Sequence, residues 1–226
     1  MENNFEIRYL TIRANNEDTE DRTIKGTSIV FNSPSEDLGG FIEEISPDAV
    51  NTEFLNQQDI LMLYNHKKDS GVLARSNKGT GTLKYSIDAT GVNFEFKAKN
   101  TALGNEVLES VRCGDLDKCS FAFRVADGGE KWENIGNNMY KRTITKFELI
   151  RDFSIVLDPA YSSTSTTVRS LELFKAEEQR KLDEAKAEDE KRNLETIEAE
   201  AKLIEDRNIE LVNYYSKYHS ILEKYK

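Results

Sequence analysis

A histidine, a serine and an aspartate sit in three separate apolar segments of this chain, and side chains of these types can together perform acyl transfer. His66 ends the run Leu61-Met62-Leu63-Tyr64-Asn65-His66 and is followed by polar Lys67-Lys68-Asp69. That places it at a strand end, near an edge or cleft, where an imidazole that titrates near neutrality can act as a general base. A lone histidine is more often a structural or simply exposed residue. Ser120 follows the Gly114-Asp115 turn and stands between Cys119 and Phe121. It reads either as a hydrogen-bonded polar residue of the core or as a nucleophile held rigidly beside a base. Asp152 opens the apolar segment Phe153-Ser154-Ile155-Val156-Leu157. A carboxylate there can hold an imidazole in one tautomer and stabilise the imidazolium, or the adjacent Arg151 can neutralise it in a structural ion pair. Cys119 is a rival nucleophile. Neighbours on a strand face opposite sides, so only one of Cys119 and Ser120 can face His66.

Other chemistries are poorly supplied. The chain has two cysteines, Cys113 and Cys119, and two histidines, of which His219 lies far along the C-terminal region. That inventory argues against a dedicated zinc site, and no cofactor is implied. In a reducing cell both cysteines are expected as free thiols. The formal net charge is -10 and no basic run stands out, which argues against a nucleic-acid partner. The N-terminal residues lack a basic stretch followed by an apolar one, so they do not read as a secretory signal. Nor does any run approach the ~20 apolar residues of a membrane span. A cytoplasmic setting is expected.

The elements that must position these side chains read mainly as short strands. Phe5, Ile7 and Tyr9 alternate with polar residues, as in a half-buried strand. Thr27 to Phe31, Ile60 to Tyr64, Leu83 to Ile87, Val92 to Phe96, Cys119 to Val125, Tyr140 to Phe147 and Phe153 to Leu157 are further strands. One helix is expected from Ser46-Pro47 to about Leu55, and a second from Ala102 to Arg112, ending before Gly114. Many short strands with few helices favour a barrel or sandwich. The expected fold is α+β but mainly β: a small, mostly antiparallel barrel with peripheral helices, followed by a long C-terminal helix.

Composition changes sharply near residue 170. All 12 glycines and all 3 prolines precede it, and a long stretch without either is helical by propensity. The expected organisation is a β-barrel domain over 1–160, an exposed Ser/Thr-rich connector over 161–170, and a charged helical tail over 171–226. Within the tail, Leu194, Ile197, Ala201, Ile204, Asn208, Leu211, Tyr215, Tyr218, Leu222 and Tyr225 are spaced alternately by three and four residues. These are coiled-coil a and d positions, with Asn208 breaking the apolar seam as a register-setting residue can. The seam predicts pairing with another helix; one long helix folded back on the barrel is the alternative.

Taken together, the segments resemble a known family. The series runs through Gly26-Thr27-Ser28-Ile29-Val30-Phe31-Asn32, then Gly39-Gly40-Phe41-Ile42-Glu43-Glu44-Ile45-Ser46-Pro47-Asp48-Ala49. It continues with Tyr64-Asn65-His66, Val72-Leu73-Ala74-Arg75, Gly79-Thr80-Gly81-Thr82-Leu83, Gly114-Asp115, Ser120-Phe121-Ala122-Phe123 and Pro159-Ala160-Tyr161. In this order they resemble the prohead proteases of tailed bacteriophages, relatives of the herpesvirus assemblins, over roughly residues 5 to 170. The resemblance implies a serine endopeptidase with a herpesvirus-protease-like fold. His66 falls on the family's general base, Ser120 on its nucleophile, and Asp152 on the acidic residue before its last strand. Ala122 stands where the family usually has glycine, and Lys67 where an acidic residue is common. The implied substrates are scaffolding protein, major capsid protein and the protease itself, within the assembling prohead in the host bacterial cytoplasm. The tail would serve self-association or docking on scaffold. A catalytically silent assembly protein acting through its tail, and a cysteine hydrolase using Cys119, are the rival readings.

Overall fold

The computed structural model describes residues 5–11, 21–157 and 165–223. In chain order its elements are β1 (Glu6–Thr11), β2 (Thr23–Val30), β3 (Phe41–Ile45), α1 (Thr52–Gln57), β4 (Asp59–Tyr64), β5 (Ala74–Asn77), β6 (Thr80–Gly81), β7 (Leu83–Ile87) and β8 (Gly91–Lys97). They continue with α2 (Ala102–Cys113), β9 (Lys118–Val125), β10 (Glu130–Gly136), β11 (Met139–Ile144), β12 (Phe147–Val156) and α3 (Ser165–Glu223). The fold is therefore α+β and mainly β, with a long C-terminal helix. The chain divides into two compact units, Met1–Leu171 and Glu172–Lys226.

The strands form three sheets: a six-stranded one in the order β1-β9-β12-β4-β5-β6, and three-stranded ones in the orders β10-β11-β3 and β2-β8-β7. The expected closed, antiparallel barrel is thus replaced by open sheets. Closure requires a continuous hydrogen-bonded circuit of strands. Here β6 has only two residues and cannot carry the ladder into β7. Two pairings, β4 with β12 and β3 with β11, are parallel. The main core lies between the six-stranded sheet and the β2-β8-β7 sheet. It combines Ile60, Met62, Phe121, Phe123, Phe153 and Ile155 with Ile24, Leu83, Phe94 and Phe96.

Local chemistry accounts for the departures from the sequence reading. The helix expected from Ser46 breaks into a 3-10 turn, Pro47–Ala49, and the short α1. Val50 is extended between them, and the Asn51 side chain caps the second start by accepting from Phe54 N–H at 2.8 Å. In α2 the expectation holds: Thr101 caps the start, and Val107, Leu108 and Val111 supply the buried face. Gly114 ends it at φ 81°, a conformation a side chain disfavours. The single strand expected over Tyr140 to Phe147 is two, because Thr145 and Lys146 both turn their N–H groups to the carbonyl of Gly129.

The alternation in β1 runs opposite to expectation, for Glu6 and Arg8 are the buried residues. Arg8 donates to both oxygens of Glu43, at 2.6 and 2.8 Å. Arg142 on β11 donates to Glu6, to Glu43 at 2.7 Å and to Glu130 at 2.6 Å. Charges so buried persist only when paired. This cluster joins the β10-β11-β3 sheet to the edge of the six-stranded one. Residues 165–170, expected to close an exposed connector, instead begin α3. Thr167 is fully buried and donates to Glu6 at 2.9 Å, and Leu171 packs with Leu38 and Phe41. The expected connector residues 161–164 lie outside the described residues.

In the second unit α3 is a continuous helix. Leu194, Ile197, Ile204, Leu211 and Tyr215 are exposed along it, while Tyr225 lies outside the described residues and the side chains of Tyr218 and Leu222 are likewise not described. No described helix is long and apolar enough to cross a membrane.

Arg142→Met should destabilise the protein by about 3–5 kcal/mol in urea unfolding, since it strands buried carboxylates without their cation. The Glu6 carboxyl is pushed up by burial, but hydrogen bonding to Arg142 and the charges of Arg142 and Arg8 outweigh this and hold it below its usual range. A depressed carboxylate contributes stability above its unfolded pKa of about 4.3, and that contribution is lost as the pH falls through the folded value. Acid unfolding of Glu6→Gln should therefore be less steep than that of the parent below about pH 4.3.

Candidate active site

Three central strands of the six-stranded sheet, β9, β12 and β4, carry the residues singled out in the sequence. Both faces of β9 are covered, so its alternation sorts apolar from polar. Cys119, Phe121 and Phe123 enter the main core, which leaves Ser120 and Ala122 on the other face. On β12 the sorting depends on a bulge. Ile150 pairs with Phe123 and Asp152 with Ala122, so Arg151 is an extra residue. In a regular strand Ile150 and Asp152 would share a face. The extra residue reverses the parity, sending Ile150 into the core and Asp152 to the side of Ser120. Ser154 then stands directly opposite Ser120.

His66 lies just beyond β4, which runs parallel to β12. The chain leaves the strand through two residues with positive φ, Asn65 at 50° and His66 at 57°. Such backbone costs a non-glycine residue about 1–2 kcal/mol, least for Asn. The turn is anchored at both ends of Asn65: its N–H donates to Ile155 O at 2.9 Å, and its Oδ1 accepts from Leu157 N–H at 3.1 Å. It throws the imidazole across the end of β12.

The imidazole bridges the other two side chains. Its Nδ1 lies 2.5 Å from Asp152 Oδ1 and its Nε2 2.7 Å from Ser120 Oγ. Burial raises the Asp152 carboxyl, yet His66 and then Arg151 outweigh that and leave it below the usual carboxylate range. An ionised carboxylate only accepts hydrogen bonds, so Nδ1 carries the hydrogen and Nε2 offers its lone pair to the Ser120 hydroxyl. Ser120 and Asp152 are fully buried, while the His66 side chain retains 13% exposure. A hydroxyl donating to an imidazole that a carboxylate orients is an arrangement able to attack an acyl carbon. Among the described residues no three His, Cys, Asp or Glu side chains gather as a metal site.

The sequence model of the caudovirus prohead serine proteases matches residues 9–179. The chain belongs to this family. It is thus a prohead serine protease by family, a hydrolase of bacteriophage capsid maturation, and the resemblance read from its ordered motifs holds. No curated protein and no solved structure matches the chain.

The structure brings His66, Ser120 and Asp152 together, and it sends Cys119 away from them. The Cys119 thiol is buried in the core, which pushes its pKa up to about 12, so the thiolate a cysteine hydrolase needs is absent near neutrality. Glu148, the other acid at this end of β12, is taken up by Arg124 at 3.2 Å. Sequence reasoning missed Ser154, whose hydroxyl donates to Asp152 Oδ1 at 2.9 Å and whose Oγ lies 3.1 Å from His66 Nδ1. The available signal was a lone hydroxyl in the apolar run Phe153 to Leu157. It also left Arg151 as a possible neutraliser. Arg151 Nε does donate to Asp152 Oδ2, at 2.7 Å, but on the oxygen that His66 leaves free. Cys119→Ala should cost about 1 kcal/mol of stability as a core truncation and leave proteolysis at the parental rate; a lost activity in a folded Cys119→Ala protein would overturn this placement.

Proposed function

We propose that the protein is a serine endopeptidase in which Ser120 is the nucleophile, His66 the general base and then acid, and Asp152 the carboxylate that orients His66. The observation that carries this reading is the unbroken contact chain from Ser120 Oγ through both ring nitrogens of His66 to Asp152, in a chain of serine-protease family. Ser120 Oγ attacks the scissile carbonyl carbon as its proton passes to His66 Nε2. The imidazolium, held by Asp152, then protonates the leaving amine, and water repeats the sequence to release the acyl chain. The substrates are scaffolding protein, major capsid protein and the protease's own chain, cut inside the assembling prohead in the host bacterial cytoplasm. The body preceding residue 161 carries the chemistry. The helical tail beyond residue 170 recruits the enzyme, by self-association or by docking on scaffold, and its exposed seam supports that division.

Ser120→Ala and His66→Ala should each abolish cleavage when the protein is co-expressed with capsid and scaffold proteins and the fragments are measured by mass spectrometry, because members of such a unit fail together. Asp152→Asn should be folded and slower than the parent, yet above the Ser120→Ala background. Retained cleavage by Ser120→Ala sinks the assignment. For the tail, sedimentation of the Ser120→Ala protein with and without Ile204→Glu tests self-association, since Ile204 lies in the exposed seam. A fall in mass supports pairing between copies. Equal monomeric masses, with normal incorporation of the variant into proheads, would remove both roles.

A further inference from the structure

Buried serines in this protein differ in their partners, and Ser76 on β5 donates to the Tyr85 hydroxyl at 3.4 Å. Ser28, fully buried on β2, gives its hydroxyl to the backbone carbonyl of Val92 at 3.1 Å, the ordinary way for a strand serine to satisfy itself. Ser154, equally buried on β12, spends its hydroxyl on the functional side chains: Oγ donates to Asp152 Oδ1 at 2.9 Å and lies 3.1 Å from His66 Nδ1. A hydroxyl in an apolar run is destabilising when unsatisfied, and alanine would fill the same place without that risk.

We infer that Ser154 is a positioning residue of the active site, fixing the Asp152 carboxylate and through it the ring of His66. The inference rests on the roles given to His66 and Asp152 under Proposed function. Its physical basis is the count of restraints on one carboxylate. Oδ2 receives Arg151 Nε at 2.7 Å. Oδ1 receives His66 Nδ1–H at 2.5 Å and Ser154 Oγ–H at 2.9 Å. Arg151 alone is a pivot, about which the carboxylate can swing around its terminal torsion. The second donor on Oδ1 removes that freedom. Because Ser154 is itself a rung of the sheet, opposite Ser120, it refers the carboxylate to the same backbone that holds the nucleophile. Its oxygen also faces the Nδ1 hydrogen, so a ring rotation that breaks the bond to Asp152 loses two acceptors together. The hydroxyl touches neither the scissile bond nor the proton in flight. It sets how often Nε2 is within reach of Ser120 Oγ.

The test uses the full chain and a fluorophosphonate probe, which phosphonylates an activated serine with loss of fluoride. Ser120→Ala and His66→Ala serve as controls. Ser154→Ala should lower the limiting rate of labelling about ten- to a hundredfold with the half-saturating probe concentration unchanged, since displacement by about 1 Å has effects of that size. Ser154→Thr, which restores a hydroxyl on a residue suited to strands, should recover most of the rate. An independent readout comes from the low-field Nδ1 proton resonance of His66 in the Ser120→Ala protein. Adding Ser154→Ala should shift it and hasten its exchange with water. A purely structural serine would move neither the labelling rate of the folded variant nor that resonance. Labelling of Ser154→Ala at the parental rate, with dead controls and an unmoved resonance, overturns the inference and spares the catalytic assignment. Undiminished labelling of the Ser120→Ala control overturns the assignment itself.

Discussion

A carboxylate removed from water loses several kcal/mol of solvation, which only well-placed donors and opposite charge restore. Asp152 is ionised and fully buried within a six-stranded sheet, and the neighbourhood follows from satisfying it. Arg151 supplies the charge on one oxygen, while His66 and Ser154 supply the donors on the other. Each comes from a different structural device. The bulge at Arg151 turns Asp152 to the site, the regular pairing of β12 with β9 brings Ser154 opposite Ser120, and the left-handed Asn65-His66 turn delivers the ring. The strain of that turn is local, and the two hydrogen bonds of Asn65 to β12 and the residue after it offset it. The constraint that keeps the carboxylate anionic thereby also dictates the tautomer of His66.

The same rule operates at the charge cluster on β1 with a different outcome. Arg8 and Arg142 are locked among Glu6, Glu43 and Glu130. Here each carboxylate faces a guanidinium, whose charge is permanent. At Asp152 one of the three partners is an imidazole, a side chain able to accept a proton and give it back. An arginine in place of the histidine in the partner set thus separates a clamp from the proposed catalytic unit, which is built on a similar buried acid. The clamp has its own use: it holds β1 and the first turns of α3 against the β10-β11-β3 sheet.

How much of this was legible in the sequence depended on whether a signal was local. His66, Ser120 and Asp152 stood out because His66 ends an apolar run, Ser120 stands within one and Asp152 opens one, and the ordered motifs pointed to the family. The strands around them were legible for the same reason, as was α2 with its Thr101 cap and Gly114 stop. What escaped was set by tertiary pairing. A bulge carries no composition of its own, so the parity of Asp152 relative to Ile150 could not be read. The inward face of β1 looked outward because Glu6 and Arg8 find their counter-charges on β3 and β11, far along the chain. Sheet order and closure depend on which edges meet, which is why open sheets with two parallel pairings were mistaken for an antiparallel barrel. The beginning of α3 was hidden by its Ser and Thr residues, which favour caps and turns. Thr167 is kept in the helix by its bond to Glu6.

The choice of serine over cysteine is a matter of register. Cys119 and Ser120 are neighbours on β9, and a slip of one residue would exchange the faces they occupy. Three aromatic rings oppose that slip. Phe121 and Phe123 stack at 4.8 Å, and Phe147 from β12 meets Phe123 edge-on at 5.1 Å. Each fully buried phenylalanine is worth roughly 1.5–3 kcal/mol, and a slip would drive Phe121 and Phe123 to the side where Asp152 and Ser154 hold their polar contacts. The cost falls on both faces at once, through lost apolar burial on one and stranded polar groups on the other. Ser120 therefore faces His66 because its apolar neighbours, which do no chemistry, fix the strand beneath it. The inert thiol beside it is the complement of that choice, buried by the same register that presents the hydroxyl.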